Sequence, residues 1–342
     1  MRKMAALFNR TDFWNLGIDA AMNAYIANHQ KEFITFAWIQ GVVLCFVSLL
    51  TIFGNAFVIY ASWRDPFKNL HSWPAHVLLQ SSVVADLLVG LALAPMQEYW
   101  LFSQLEAQTS ALSFHIILSL ASILIGVSVA HVLLLTVDRL FAIMKPFRHK
   151  CIATRKRIRL AVLVLWLYYI CFGIILFCLE DRFFIVNIVF IVQMFITLQL
   201  TFCFYGLMVY RLRRNYKEWH QRILRGSVHV THHEQYTHME GRLARSIAFV
   251  ICFSLFFITP FFVLIFLLYF CRQCYFHPQM VFVFIGVETT LLFLNSALRP
   301  LIYCWRISKY KEIFKHYFQA IVRGSSDSKR TCKQRKTFDT KL

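Results

Sequence analysis

Long apolar runs divide the chain into seven windows, near 34–61, 74–97, 109–137, 158–179, 183–210, 246–270 and 279–304, separated by polar connections. A helix rising about 1.5 Å per residue needs roughly 20 residues to cross a hydrocarbon core of about 30 Å, and each window reaches that length. The pattern predicts seven spanning helices and, seven being odd, chain ends on opposite sides of the membrane. A different pattern follows: Ile307, Tyr310, Phe314, Tyr317, Phe318 and Ile321 recur at helical spacing opposite Lys309, Lys311, Lys315 and His316. That is the signature of a helix lying in the interface plane. The expected fold is an all-α membrane protein, a seven-transmembrane-helix bundle with an amphipathic eighth helix. It divides into a tail at 1–32, the membrane domain at 33–304, the interfacial helix at 305–321 and a disordered tail at 322–342.

Composition changes the picture in one respect. A length of 342 residues would accommodate two soluble domains, but 58% hydrophobic and 15% charged residues point to one polytopic domain instead. The net charge of +19 would suggest nucleic acid until its distribution is considered. Of 36 Lys and Arg residues, 29 fall in Ser62–Trp73, Arg139–Arg159, Arg211–Arg245 and Arg306–Lys341, all on one predicted side. By the positive-inside rule that side is cytosolic, with the N-terminus outside, the C-terminus inside and anionic lipids as counter-charge. No nucleic-acid partner is expected. The first thirty residues are polar and mixed, so the first span is expected to act as a signal anchor. Asn9-Arg10-Thr11 is a glycosylation sequon on the predicted outer side.

Ten cysteines are spread thinly, mostly within spans as small apolar residues. The exception is Cys271-Arg272-Gln273-Cys274 in the last outer loop, where an oxidising compartment allows a short disulfide. A zinc site there would need two further ligands, and only His277 is near. His229, His232, His233 and His238 lie in a polar inner loop and read as a solvated tract. No metal site is expected.

Several polar residues stand inside apolar windows, where each must be paired, hydrated or neutralised. Asp86 is in the middle of the second. Ser128, ten residues or about 15 Å before Asp138, is at a depth to face Asp86, although a lone serine in a span more often bonds its own helix. Gly54-Asn55 reads as a packing glycine beside a polar residue bonded to a neighbouring helix. Arg299 in the last window must find an anion or reach water. Pro95 and Pro260 predict distortions of the second and sixth helices. Asp138-Arg139 closes the third span, and Pro146-Phe147 follows in a basic turn, where an aromatic rimmed by Lys145, Arg148 and Lys150 reads as a membrane-surface anchor.

The stretch HVLLLTVDRLFAIMKPFRHK, residues 131–150, resembles the rhodopsin-like (class A) G-protein-coupled receptors. Their third helix ends in Asp-Arg-Tyr, followed by Ala-Ile and a Pro-hydrophobic pair; this chain has Asp138-Arg139-Leu140, Ala142-Ile143 and Pro146-Phe147. Gly54-Asn55, Ala85-Asp86-Leu87, Trp166, Phe204-Tyr205, Pro260 and Pro300-Leu301-Ile302-Tyr303 extend the resemblance over about Phe33 to Ile321. It implies a receptor that passes an extracellular ligand signal to a heterotrimeric G protein, with arrestin and receptor kinases as further partners. By that resemblance Arg139 pairs with Asp138 and with Glu240 in the inactive state, Phe147 inserts into the G protein, and Tyr205, Pro260, Pro300 and Tyr303 belong to the switch. Glu240 also reads as an acid complementing a helix N-terminus. Asn55, Asp86, Ser128, Asn295, Ser296 and Arg299 form the central polar site, and Glu98, Ala121, Ile125, Ile258 and Glu288 are ligand-pocket candidates. Cys332 is a candidate for palmitoylation.

The departures are informative. Phe114 replaces the family's outer cysteine and the Leu179–Arg182 connection is very short, features similar to the melanocortin receptors. Ala121 stands where amine receptors carry an Asp, so a monoamine is not expected; the outer acids Glu98, Glu106, Glu180, Asp181 and Glu288 favour a cationic peptide, with a small lipid the other choice. Ile258 replaces the sixth-helix Trp. Arg299 replaces the Asn of the seventh-helix motif, and the expectation is an Arg299–Asp86 ion pair in place of the family's sodium ion, the other reading being that Arg299 reaches cytosolic water beside Tyr303. No cofactor is expected. A retinal pump would need a seventh-span Lys, a transporter would show internal repeats, and no nucleophile-base pair supports an enzyme. A non-signalling relative that dimerises or traffics partners is the alternative to a signalling receptor.

Overall fold

The computed structural model describes residues 26–66, 74–106, 111–179, 183–224, 249, 252–260, 263 and 278–323. Helix α1 is Gln30–Arg64, the first span. The second span comprises α2, His76–Leu88, a five-residue π segment Val89–Leu93, and α3, Ala94–Ser103. Helix α4, Ala111–Met144, is the third span, and α5, Pro146–Ile152, is a short helix in the connection that follows it. Helices α6, Arg155–Cys178, and α7, Phe183–Leu224, are the fourth and fifth spans. The sixth span is described over 252–260 as α8. Helix α9, Pro278–Arg306, is the seventh span, and α10, Ser308–Arg323, follows it. The fold is an all-α, seven-span bundle, and among the described residues six helices are long and apolar enough to cross a membrane.

The first span shows how such a helix is arranged when lipid is its solvent. Trp38, Ile39, Val42 and Phe46 are exposed, whereas Gln40, Ser48, Thr51 and Asn55 are buried. Apolar side chains lose nothing by facing hydrocarbon, so the interior is left to groups that need partners. Small residues then set how closely helices approach. A Cβ at Gly54 would stand 3.3 Å from Pro300 Cγ, and one at Gly173 would stand 2.5 Å from Ile123 Cγ1 and 3.1 Å from the Ser119 carbonyl. One at Gly126 would collide with the Tyr169 ring, so the third and fourth spans meet through two glycines.

Prolines in the spans free carbonyls that neighbouring helices then satisfy. Pro300 has no N–H to bond the carbonyl four residues back; that carbonyl, of Ser296, accepts Asn55 Nδ2 from the first span at 3.2 Å. The distortion expected from Pro95 takes the form of the π segment just before it. There the Ala94 N–H bonds Val89 O, five residues back. Continued one residue further, this register would offer Gly90 O to the nitrogen of Pro95, which has no hydrogen. Ser48 Oγ of the first span donates to that oxygen instead, at 3.0 Å. Gly90 makes the approach possible, because a Cβ there would lie 3.0 Å from Ile52 Cγ1.

Helix α10 lies against the first span by its aromatic face. Phe314 stands edge-on to Phe57 at 5.6 Å and Tyr317 lies 5.7 Å from Tyr60. Tyr310 is buried and stacks on His76 at 6.1 Å. Burial pushes the Tyr310 phenol well above its usual range, so it stays neutral.

Candidate functional site

Two buried polar clusters lie along the bundle, one at its centre and one at the end of the third span. At the centre, Asp86 and Arg299 are both 0% exposed. Arg299 Nη1 donates to both carboxylate oxygens of Asp86, at 3.2 Å to Oδ1 and 3.1 Å to Oδ2. The same nitrogen lies 3.0 Å from Ser82 Oγ and 2.6 Å from Ser128 Oγ. Ser296 Oγ donates to Asp86 Oδ1 at 2.8 Å. The second, third and seventh spans therefore converge on one guanidinium nitrogen.

The physics of the pairing follows from depth. An isolated charge near the bilayer centre costs several kcal/mol, and an ion pair with hydrogen-bonded surroundings offsets much of that. The contact is end-on: Nε and Nη2 find no protein acceptor among the described residues. Buried donors of this kind are ordinarily satisfied by internal water. A small cavity large enough for a water molecule shares Ser128 and Ser296 with the cluster and is otherwise walled by Ile125, Ile258, Asn295 and apolar neighbours.

Sequence reasoning expected Ser128 to face Asp86 directly. In the structure Arg299 Nη1 stands between them, so Ser128 is a partner of the arginine. The alternative reading, in which Arg299 reaches down past Tyr303 to water, does not match a guanidinium with no exposure. Ser82, which sequence reasoning missed, precedes Asp86 by four residues and so shares its helix face; that spacing was the available signal. Asn55 bonds Thr51 O at 2.9 Å and Ser296 O, joining the first span to the seventh. Asn295 is buried beside the cavity with Oδ1 unpartnered among the described residues.

At the end of the third span, Arg139 is 2% exposed and Asp138 9%. Arg139 Nε donates to Asp138 Oδ2 at 2.8 Å, and its Nη2 contacts the same oxygen. The other carboxylate oxygen, Oδ1, lies 2.8 Å from His149 Nε2 on α5. Nothing in the spacing announced this contact, because the chain turns at Pro146 before bringing His149 back. Phe147, two residues earlier on the same short helix, is 69% exposed. Tyr303 is buried, and Tyr205 is half-buried beside Cys252 of the sixth span.

Toward the predicted outer end the candidates are more scattered. Glu98 and Glu288 are half-buried, and Ala121 packs in the cluster around Leu124 and Phe293 rather than lining the cavity. Gln40 Nε2 donates to Thr290 Oγ1 at 3.3 Å between the first and seventh spans. Trp166 Nε1 donates to Ser81 Oγ at 2.8 Å. Gln193 joins the fourth and fifth spans, accepting from Tyr168 at 3.0 Å and donating to Tyr169 at 3.1 Å. Glu240, Asn9, Cys271, Cys274 and Cys332 lie outside the described residues, as do the inner-loop histidines and the acids Glu180 and Asp181.

Comparison with known proteins agrees with this arrangement. The sequence model of the 7 transmembrane receptor (rhodopsin family) matches residues 54–183. The chain is 29% identical over 137 residues to Probable G-protein coupled receptor 21 of Mus musculus, covering 40% of this chain and 38% of that receptor. It is 25% identical over 312 residues to Melanocortin receptor 5 of Mus musculus, covering 88% of this chain and 91% of that receptor. A third match, to the Alpha-2B adrenergic receptor of Oryctolagus cuniculus, is 29% identical over 131 residues, 36% of this chain and 31% of the receptor. The first and third alignments thus span well under half the length of those relatives, while the melanocortin alignment runs nearly end to end. Over residues 54–183 the chain is similar to the rhodopsin family of seven-transmembrane receptors, and it is a multi-pass membrane protein.

Proposed function

We propose that this receptor converts binding of an extracellular ligand into activation of a heterotrimeric G protein. It would act at the plasma membrane, with its N-terminus outside and its basic C-terminal tail in the cytosol. The observation that carries the reading is the cytoplasmic end of the third span, where a buried Arg139 held by Asp138 stands beside a short helix presenting Phe147 at 69% exposure. An aromatic side chain held out beside a basic loop is suited to insertion into a partner protein. Arrestin and receptor kinases are the further partners proposed, on the strength of a tail carrying Ser325, Ser326, Ser328 and Thr331.

The receptor is proposed to work without a central sodium ion. The Asp86 carboxylate and Ser128 hydroxyl that would take the ion already share a guanidinium nitrogen within 3.2 Å, and a second positive charge there would be repelled. The ligand is proposed to be cationic, a basic peptide in preference to a small lipid, because Glu98 and Glu288 stand in the outer halves of the second and seventh spans.

The test is ligand-free signalling, read by cAMP and calcium in cells expressing wild type, Arg139→Ala and Phe147→Ala at matched surface levels. The expected result is a basal signal in the wild type that both substitutions reduce at least several-fold. A basal signal that neither substitution changes would remove the support this end of the bundle gives to the reading.

A further inference from the structure

The His149–Asp138 contact was not anticipated and serves no part of the reading above. Asp138 divides its two oxygens between two partners: Oδ2 takes Arg139, and Oδ1 takes His149 Nε2 at 2.8 Å. An ionised carboxylate only accepts, so Nε2 must carry the hydrogen, and Nδ1 is the atom that gains or loses a proton. Both side chains are 9% exposed, which limits solvent screening of any charge that develops. Phe141 of the third span packs edge-on to the imidazole at 5.9 Å. His149 therefore ties α5, the helix that carries Phe147, to the carboxylate that holds Arg139.

The other charged and titratable groups around it, among the described residues, are few. The third span contributes Asp138 and Arg139. The fourth contributes Arg157, whose Nη1 reaches the carbonyls of Ile152 at 3.3 Å and Cys151 at 3.5 Å at the far end of α5. On α5 itself Arg148 and Cys151 are exposed, and Lys145 just before it is exposed. Asp138 is the one acid in the group, so it is the group that responds when His149 becomes charged.

We propose that the His149–Asp138 contact is a proton-sensitive latch: protonation of His149 draws α5 onto the third span and loosens the grip of Asp138 on Arg139, so that acidification of the cytosol raises coupling. Imidazole is the side chain whose charge ordinarily changes between about pH 5 and 8. Neutral His149 holds α5 by a hydrogen bond to an ionised carboxylate; charged His149 adds a direct ion pair to that bond. The same event places a second cation on a carboxylate already engaged by Arg139. The coupling readout of this latch rests on the signalling reading; the latch itself does not.

The experiment uses the full-length receptor in nanodiscs, as wild type and as His149→Gln, which keeps an N–H donor but cannot titrate. In the first arm a trifluoromethylphenylalanine at position 147 reports the environment of α5 by fluorine NMR from pH 5.5 to 8. In the second, nucleotide exchange on a purified heterotrimer is followed over the same range with native Phe147, and the wild-type rate is divided by that of His149→Gln to remove the pH dependence of the G protein. The latch predicts a sigmoidal fluorine shift in wild type and none in His149→Gln, with the rate ratio rising about threefold or more toward pH 6. Equal titration in both receptors, or none in either, overturns it. A fluorine titration confined to wild type, with no exchange activity at any pH, would uphold the latch and overturn the signalling reading.

Discussion

Breaking the Asp86–Arg299 pair from either side should not be symmetric. Asp86→Asn leaves a guanidinium with 0% exposure and no counter-charge, two of whose nitrogens already lack protein acceptors among the described residues. Removing one partner of a buried pair costs roughly 3–5 kcal/mol, and this side should fall at the upper end. Arg299→Asn leaves Asp86 with its bond from Ser296, and a carboxylate can be neutralised by a proton or a recruited cation, so about 3 kcal/mol is expected. The double variant buries two amides and no charge. It should cost at least about 2 kcal/mol less than the sum of the singles, the mark of a direct interaction in a double-mutant cycle. At about 2–4 °C per kcal/mol, Asp86→Asn should lower the midpoint by roughly 10–20 °C. Thermal unfolding of the purified receptor, followed by tryptophan fluorescence at one fixed scan rate, gives all four corners. A sodium arm completes it. Arg299→Asn should gain about 2.7 kcal/mol when sodium exceeds its dissociation constant a hundredfold, whereas wild type should behave alike in sodium and potassium chloride. Additive losses, or a wild type stabilised by sodium, would refute the reasoning.

Two further outcomes are expected. Gly126→Ala should destabilise the receptor by roughly 1–3 kcal/mol, because the added methyl collides with the Tyr169 ring; adding Tyr169→Leu should restore part of the loss, and no loss in thermal unfolding would mean the third and fourth spans are not in this close contact. Glu98→Gln and Glu288→Gln should each reduce the potency of a basic peptide agonist by about tenfold, as loss of a desolvated charge contact would, and unchanged dose-response curves would count against a cationic ligand.

The spans themselves were legible because crossing a bilayer requires an uninterrupted apolar run, a property written locally in the chain. Asp86 and Arg299 stood out for the complementary reason: a charge in such a run must find a partner, and each supplied the other's requirement. The carbonyl freed by Pro300 was likewise implicit four residues back, at Ser296. What the sequence left undecided concerns rotation and approach. Whether Arg299 would meet Asp86 with its full fork or with one nitrogen, and whether Ser128 would face the acid or the arginine, depends on how the second, third and seventh spans are turned toward each other. Those turns are set by interhelical fit at Gly54, Gly90, Gly126 and Gly173, where a missing Cβ decides how closely two backbones can come.

His149 marks the boundary most clearly. Eleven positions from Asp138, about three turns of an unbroken helix, would return it to the same face, but the helix breaks at Pro146 and the spacing loses that meaning. The chain by itself determined seven spans, an amphipathic eighth helix, the asymmetry of charge and the motifs, since these rest on composition and on periodicity along single helices. Only the tertiary structure decided which buried atoms meet, because hydrogen bonds act over about 3 Å and the register between helices is a property of their packing, not of any one segment.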